Sequence, residues 1–416
     1  MGEPWRTIRV SDVAHVEMGQ SPPSSFVFES SDGGVPFLQG NADFTDRYPQ
    51  ARQFCTKSPK VAEAGDLLIS VRAPVGAINE ADQRYCIGRG LAAVRFTGVD
   101  PAFGFHALSY YSRSLRRVAQ GTTFEAVGGA DLREVEIPQC TRREQLGMAA
   151  ILGTLNEAIR TSEKVIAKLK LMKLGLLRDL LTRGIQDSGE LRPSPEGAPS
   201  LYRDSFLGRV PSEWAVGTLQ DTVNPARPIV YGILMPGTGF LGGVPVVKVK
   251  NIIGGRIEAD DLLLTSPAID EEYRRSRLAQ GDLLFTIRGT VGRTAFVPAW
   301  LNGANITQDT ARVSINSASP QFVRYYLEMP VPRRFIEIHT IGQAVKGINL
   351  RDLRRVPLAL PPVPEQEAMA NVLRAADLRI DAEAATLLKL RILGQGVRDD
   401  ILTGRVRVVV PEEAEV

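Results

Sequence analysis

The chain of 416 residues is 44% apolar and 23% charged, the balance of folded protein, and is too long for one compact core, so two or more domains are expected. A formal net charge of +3 excludes a strongly basic protein that neutralises DNA phosphates unaided. No apolar run reaches the roughly 18 residues that span a bilayer, the opening MGEPWRTIRV lacks a basic-then-apolar secretory layout, and Arg6 stands where a myristoylation motif has Ser or Thr, so a cytoplasmic protein without membrane attachment is expected.

In chain order, WRTIRVSDV from Trp5 opens a first stretch of short β-branched runs punctuated by Gly and Pro, which predicts strands of a largely antiparallel sheet. GDLLISVRAPVGAI follows at 65–78, then LAAVRF, a helical stretch around Tyr110 and Tyr111, and AVGGADLR at 126–133. Residues 144–185 are helical, with Leu152, Leu155, Ile159, Ile166, Leu169, Leu176 and Leu180 at the 3,4 spacing of a coiled-coil seam interrupted by Ser162 and Lys173. About 40 such residues would extend roughly 60 Å. QDSGELRPSPEGAPSLYRD (186–204) is rich in Pro, Gly, Ser and charge, and is expected to be an exposed linker.

The pattern then starts again, about 215 residues later. Trp214 opens WAVGTLQDT, GDLLFTIRGTVGRT at 281–294 repeats the earlier segment, Tyr325 and Tyr326 fall opposite Tyr110 and Tyr111, and AVKGINLR at 344–351 echoes AVGGADLR. The 42 residues from Glu365 align without gaps to those from Glu144, with 12 identities and a seam of Leu373, Ala376, Ile380, Leu387, Leu390, Val397 and Ile401. Gly184 and Gly404 stand where helix C-caps belong. The organisation is therefore two copies of a globular module and a long helix: 1–143 and 144–186, a linker at 187–206, then 207–363 and 364–406 with a tail at 407–416. The first module carries 16 basic and 16 acidic side chains and the second 18 and 13, so any basic patch is local.

The chemistry of a catalyst is missing. GTGFLG (Gly237, Gly239, Gly242) has dinucleotide-motif letters but leads into the strand-like VPVVKV, so it reads as a loop. There is no phosphate-binding G-x-x-x-x-G-K-[ST] loop, no acidic residue followed two positions later by Lys, and no N-P-P-Y or D-P-P-Y methyltransferase tetrad. His15, His106 and His339 are too few for a multi-histidine metal site, and His106 is expected to pack beside Phe103 and Phe105. Cys55, Cys86 and Cys140 form no C-x-x-C pair and are expected as reduced thiols. Asp66 and Asp282, each following Gly, are expected as turn residues.

Recognition remains. If a pseudo-twofold axis relates the copies across the helices, the helices run antiparallel, and a fused pseudo-dimer can contact two half-sites as dimeric DNA readers do. Since the modules differ outside the motifs, the target is expected to be asymmetric and interrupted. Arg suits guanine, Asn and Gln suit adenine, and Lys suits phosphate. The candidates are Gln39, Asn41 and Arg72 in the first module, and Lys248, Lys250, Asn251, Arg288 and Gln308 in the second. Arg72 and Arg288 recur in both copies, which favours phosphate contact or an internal salt bridge over base readout. A coiled-coil scaffold that binds protein is the alternative reading; an unrecognised nuclease or methyltransferase centre is a third.

The sequence resembles the specificity subunit of type I restriction-modification systems over essentially its whole length. The resemblance rests on the two G-D-L-L-x-x-x-R-x-x-x-G segments, the pair REQLGMAAIL and VPEQEAMANVL, the helix endings LLRDLLTRGI and VRDDILTGRVRV, and FLGRVPSEWAVGTLQD. The first copy departs from the pattern where IPQCTRREQ replaces the proline-rich LALPPVPEQ. The resemblance implies an α+β fold with two target recognition domains on mixed, largely antiparallel sheets, joined by two long helices in an antiparallel coiled coil. It implies a non-catalytic subunit that reads bipartite double-stranded DNA in a prokaryotic cytoplasm. It implies as partners two adenine methyltransferase subunits that use S-adenosylmethionine and restriction subunits that use ATP and Mg²⁺, with no cofactor in this chain.

Overall fold

In the computed structural model the described residues are 3–30, 33–112, 115, 126–343 and 345–408, and they form two compact units. One comprises residues 1–166 and 382–416, the other 167–381, so the division passes through both long helices rather than between a module and its helix. Among the described residues no helix is long and apolar enough to cross a membrane.

In the first unit the strand Leu67–Ser70 is buried along its whole length, which accounts for its continuous apolar run. It lies inside an antiparallel sheet ordered Ala14–Met18, Leu91–Phe96, Leu67–Ser70, Ile78–Glu80. A second sheet of five short strands contains a parallel pair, Val35–Leu38 beside Tyr85–Ile87. The second unit repeats the plan. Val230–Tyr231, Thr310–Val313, Leu283–Thr286 and Thr294–Phe296 form the antiparallel sheet, and Val244–Val247 runs parallel to Asn305–Ile306. In both units a short antiparallel ladder ties the module's start to its end: Arg6–Arg9 with Glu136–Gln139, and Ala215–Thr218 with Pro357–Leu360. The architecture is α+β, with mixed and mainly antiparallel sheets.

The first long helix runs over Arg142–Arg183 and the second over Val363–Thr403. Thr141 and Glu144 cap the first reciprocally, the Glu144 carboxylate accepting the Thr141 N–H at 2.9 Å. Gly184 and Gly404 follow the helices with φ of 70° and 83°, the left-handed conformation that glycine adopts without strain. A Cβ at Gly184 would collide with Glu365, Arg192 and Trp214, and one at Gly404 with Glu3 and Trp5. The opening tryptophan of each module thus packs at a helix C-terminus, Trp5 donating its indole N–H to the Ile401 carbonyl at 2.7 Å.

Within each unit the helix segments run antiparallel. In the first, Arg391 donates to Glu163 at 2.6 Å and Arg398 to Asn156 at 3.4 Å. In the second, Lys173 pairs with Asp377 at 2.7 Å and the Ile185 N–H reaches Glu365 at 3.0 Å. In both pairs of contacts the numbers rise on one helix as they fall on the other. Of the seam positions, Leu152, Ile166, Leu373 and Ile401 are buried, whereas Leu155, Ile159, Leu169, Leu176, Ile380, Leu387, Leu390 and Val397 are partly covered. The helix ends plug into the module cores: Met148, Ala149, Leu152, Ile401 and Leu402 in the first unit, Leu177, Leu180, Leu181, Met369 and Leu373 in the second. The interruption at Lys173 serves a partly buried polar cluster, since Asp377 also accepts the Tyr325 hydroxyl at 2.8 Å.

Two details differ from the sequence reading. The segment 187–206 is not a loose tether: Arg192 is buried, paired with Glu365, and Tyr202 is buried with its hydroxyl on the Pro193 carbonyl at 2.7 Å. The tyrosine pairs are also not equivalent. Gln145 and Gln366, matched in the long helices, accept the backbone N–H of Asp100 and Ser319, both at 2.8 Å, and these two residues cap the module helices Pro101–Tyr111 and Pro320–Tyr326. This places Phe103 with Phe322 and His106 with Tyr325, leaving Tyr110 and Tyr111 one turn further along.

Candidate nucleic-acid interface

Each letter of the repeated G-D-L-L-x-x-x-R-x-x-x-G motif has a structural cause. Gly65 and Gly281 hold φ of 88° and 84°, so the chain turns sharply into the central strand. The carboxylate of Asp66 accepts the Glu63 N–H at 2.8 Å and that of Asp282 the Ala279 N–H at 2.7 Å, which are turn contacts three residues back. Both are also clamped by arginine, Asp66 by Arg95 at 2.7 Å and Asp282 by Arg227 at 2.8 Å. Neither carboxylate is available as a catalyst.

The strand then ends on a hydroxyl that locks the next loop. Ser70 Oγ donates to the Pro74 carbonyl at 2.7 Å and accepts the Ala77 N–H at 2.8 Å; Thr286 Oγ1 donates to the Thr290 carbonyl at 2.5 Å and accepts the Arg293 N–H at 2.8 Å. Gly76 and Gly292, with φ of 83° and 92°, close the loop on the carbonyls of Ser70 and Thr286. The result is a rigid loop with Arg72 or Arg288 exposed on it, each held by one backbone bridge, to Ala126 and Gly347 respectively. Among the described residues neither arginine forms an ion pair.

A second turn lies against this loop in both modules. Val71 N–H bonds the Gly90 carbonyl at 3.0 Å, and Ile287 N–H bonds the Asp309 carbonyl at 2.8 Å. The turns themselves match: Leu91 N–H to Gly88 O at 3.0 Å, Thr310 N–H to Thr307 O at 3.1 Å. So do their anchors: Gly88 N–H to Leu38 O at 2.8 Å, Thr307 N–H to Val247 O at 3.2 Å. Gly88 and Gly90 are needed because a Cβ on either would press on Gln39.

The nominated residues distribute unevenly over this edge. Gln39 is exposed beside the turn and exchanges hydrogen bonds with Ser21 at 3.2 and 3.3 Å, while Asn41 starts the 3₁₀ turn Asn41–Asp43 two residues on. Arg288 and Gln308 line one cleft of about 910 Å³ with Tyr231, Leu234 and Asn349. Lys248, partly buried, occupies the place of Gln39, and Lys250 is exposed but paired with Asp261. Asn251 is buried; its amide accepts the Lys248 N–H at 3.0 Å and donates to the Asp260 carbonyl at 3.2 Å, so it holds its own loop and presents nothing outward. The residue that the sequence reading passed over is Arg89, exposed on the first module's turn between Gly88 and Gly90. An arginine flanked by glycines after a short β run was the available signal.

GTGFLG lies in the connection between the strands Val230–Tyr231 and Val244–Val247, closing with a Gly243 N–H to Phe240 carbonyl bond of 3.0 Å. Among the described residues no group of three or more His, Cys, Asp and Glu side chains is placed to hold a metal ion.

The type I restriction modification DNA specificity domain matches residues 2–171 and 242–391. The chain is 24% identical over 379 residues to the Escherichia coli type I restriction enzyme EcoBI specificity subunit, spanning 88% of this chain and 78% of that one. It is 36% identical over 188 residues to a putative type I restriction enzyme MjaX specificity subunit of Methanocaldococcus jannaschii, a match spanning 44% of each chain. Its fold is similar to the crystal structure of a type I restriction-modification S subunit from M. genitalium, with a TM-score of 0.60 at 14% identity over 96% of both chains. With the family domain matched twice, covering most of the sequence, this chain belongs to the type I restriction-modification specificity subunits, which are non-catalytic and leave catalysis to separate subunits.

Proposed function

We propose that this protein reads a bipartite, asymmetric double-stranded DNA target, one half with each module, and brings two adenine methyltransferase subunits and the restriction subunits of its system to that site. One observation carries the reading: the same clamped loop, presenting an exposed arginine that forms no ion pair among the described residues, is built twice on matching scaffolds. A group shared by both modules suits what both half-sites share, the phosphate backbone, so Arg72 and Arg288 position the DNA and their differing neighbours discriminate sequence. Relatives named as subunits of type I restriction enzymes support the assembly. S-adenosylmethionine, ATP and Mg²⁺ are used by those partner subunits in this reading, which fits a chain with a net charge of only +3 that shares phosphate contacts with others.

The test is selection from a randomised duplex library by this chain assembled with its methyltransferase subunits. The expected result is a consensus in two unlike blocks separated by unspecified positions. Retention of DNA without sequence preference would count for a protein-binding scaffold instead, and cleavage or methylation by the isolated chain would overturn the non-catalytic assignment.

A further inference from the structure

Resting on the DNA-reading function, we propose that Arg89 and Gln308 are the specificity-determining pair of the two modules, Arg89 recognising a guanine in one half-site and Gln308 an adenine in the other. The equivalence of the two positions is geometric. Three backbone hydrogen bonds recur around them: from the turn to the preceding parallel strand, across the turn, and from the arginine-bearing loop to the turn. In each module the residue stands second in the turn, directly beside the loop that carries Arg72 or Arg288.

The scaffold is thus held constant while the side chain at its tip changes. That is what two recognition modules with different targets require: a repeated part to engage the repeated backbone, and an unrepeated part to read the base edge. Asn251 is spent on its own loop and Lys250 on Asp261. Arg89 is exposed and forms no ion pair among the described residues, and the half-buried Gln308 makes no side-chain hydrogen bond among them, only its backbone N–H bonding the Ile233 carbonyl. Both side chains keep their full donor and acceptor capacity for a partner. Arg presents two parallel donors that match guanine O6 and N7, and Gln a donor and an acceptor that match adenine N6 and N7. Gly88 and Gly90 leave Arg89 without a side chain on either chain neighbour, its own N–H held by Ser21 Oγ at 3.2 Å, and Gln308 lines the cleft it shares with Arg288.

The experiment compares consensus sequences from a randomised duplex library for the assembled methyltransferase complex carrying wild-type chain, Arg89→Gln, Arg89→Lys or Gln308→Arg. Wild type should show an invariant guanine in one block and an invariant adenine in the other. Arg89→Gln should lose preference for that guanine by about tenfold to a hundredfold while the other block is unchanged, and Gln308→Arg should do the converse. Arg89→Lys keeps the charge but not the bidentate fork, so it should relax the same guanine with the salt dependence of binding unaltered. Assembly with the methyltransferase subunits, measured by size, checks that each variant is folded. An unchanged consensus in assembled Arg89→Gln complex overturns the assignment, as does uniformly weaker binding to every sequence, which marks a phosphate contact. Absence of any two-block consensus in the wild type would instead defeat the DNA-reading function itself.

Discussion

His106 is 7% exposed, packed edge-on against the Phe105 ring at 5.3 Å between centroids. Burial pushes its imidazole down to about 4, with the positive charges of Arg398, Arg160 and Arg47 acting in the same direction. In the unfolded chain the ring titrates near about 6.5, so the unfolded state takes up a proton that the folded state refuses. The stability this group allows is fully present above pH 6.5 and is lost as the pH falls toward 4, by at most about 3 kcal/mol. His106→Phe should therefore flatten the acid side of the stability profile: the melting temperature of wild type drops more steeply than that of the variant between pH 6.5 and 4. Parallel profiles would show that His106 does not drive the acid sensitivity. Its packing was legible, since F-G-F-H puts the ring among aromatics. Asn251 was not: its amide suits adenine whatever it touches, and only the turn geometry shows it bonded to the Lys248 N–H.

The long helices carry two kinds of aliphatic side chain. Leu169 and Leu390 are partly covered, whereas Leu171, Leu174, Leu388 and Ile392 are 69%, 63%, 60% and 65% exposed. Apolar side chains left in water along helices that already have a partner face are what a further protein subunit would bury. Aspartate at Leu171 and Ile392 should leave thermal unfolding unchanged yet abolish capture of the methyltransferase subunit. Aspartate at Leu169 and Leu390 should lower stability by about 1 to 3 kcal/mol, because charge enters an apolar seam. Equal loss of stability in both pairs would refute the distinction. The helices were readable because their 3,4 spacing and terminal glycines are local signals. Module register was less so, because identical tyrosine pairs attract an alignment that the unlike caps Asp100 and Ser319 correct. The joint at 187–206 misled for a similar reason: its composition is that of a linker, but Arg192 gains a buried partner 173 residues away in Glu365.

At the scale of the molecule, the compact units do not coincide with the repeats of the sequence. Each unit takes its module, one half of the preceding or following helix and the complementary half of the other. The first module's core contains Met148, Ala149 and Leu152 from one long helix and Ile401 and Leu402 from the other, and Tyr111 donates to the Leu402 carbonyl at 2.8 Å. A module therefore inherits its fit from residues almost 300 positions away, which a reading by domains cut at residue 143 overlooks. Exchanging residues 1–143 for the first module of another family member should alter only one block of the DNA consensus, since Arg89 and its turn travel with the module and Gln308 stays behind. The graft should be destabilised, however, wherever the donor expects other side chains at those five helix positions, because a mismatched buried aliphatic group costs about 1 to 3 kcal/mol. Carrying the donor's residues at 148, 149, 152, 401 and 402 along with the module should restore the melting temperature without changing the new consensus. Stability and specificity would then separate cleanly, the first following the helix ends and the second the turn. A graft whose consensus shifts in both blocks would show that the second module reads DNA through the first.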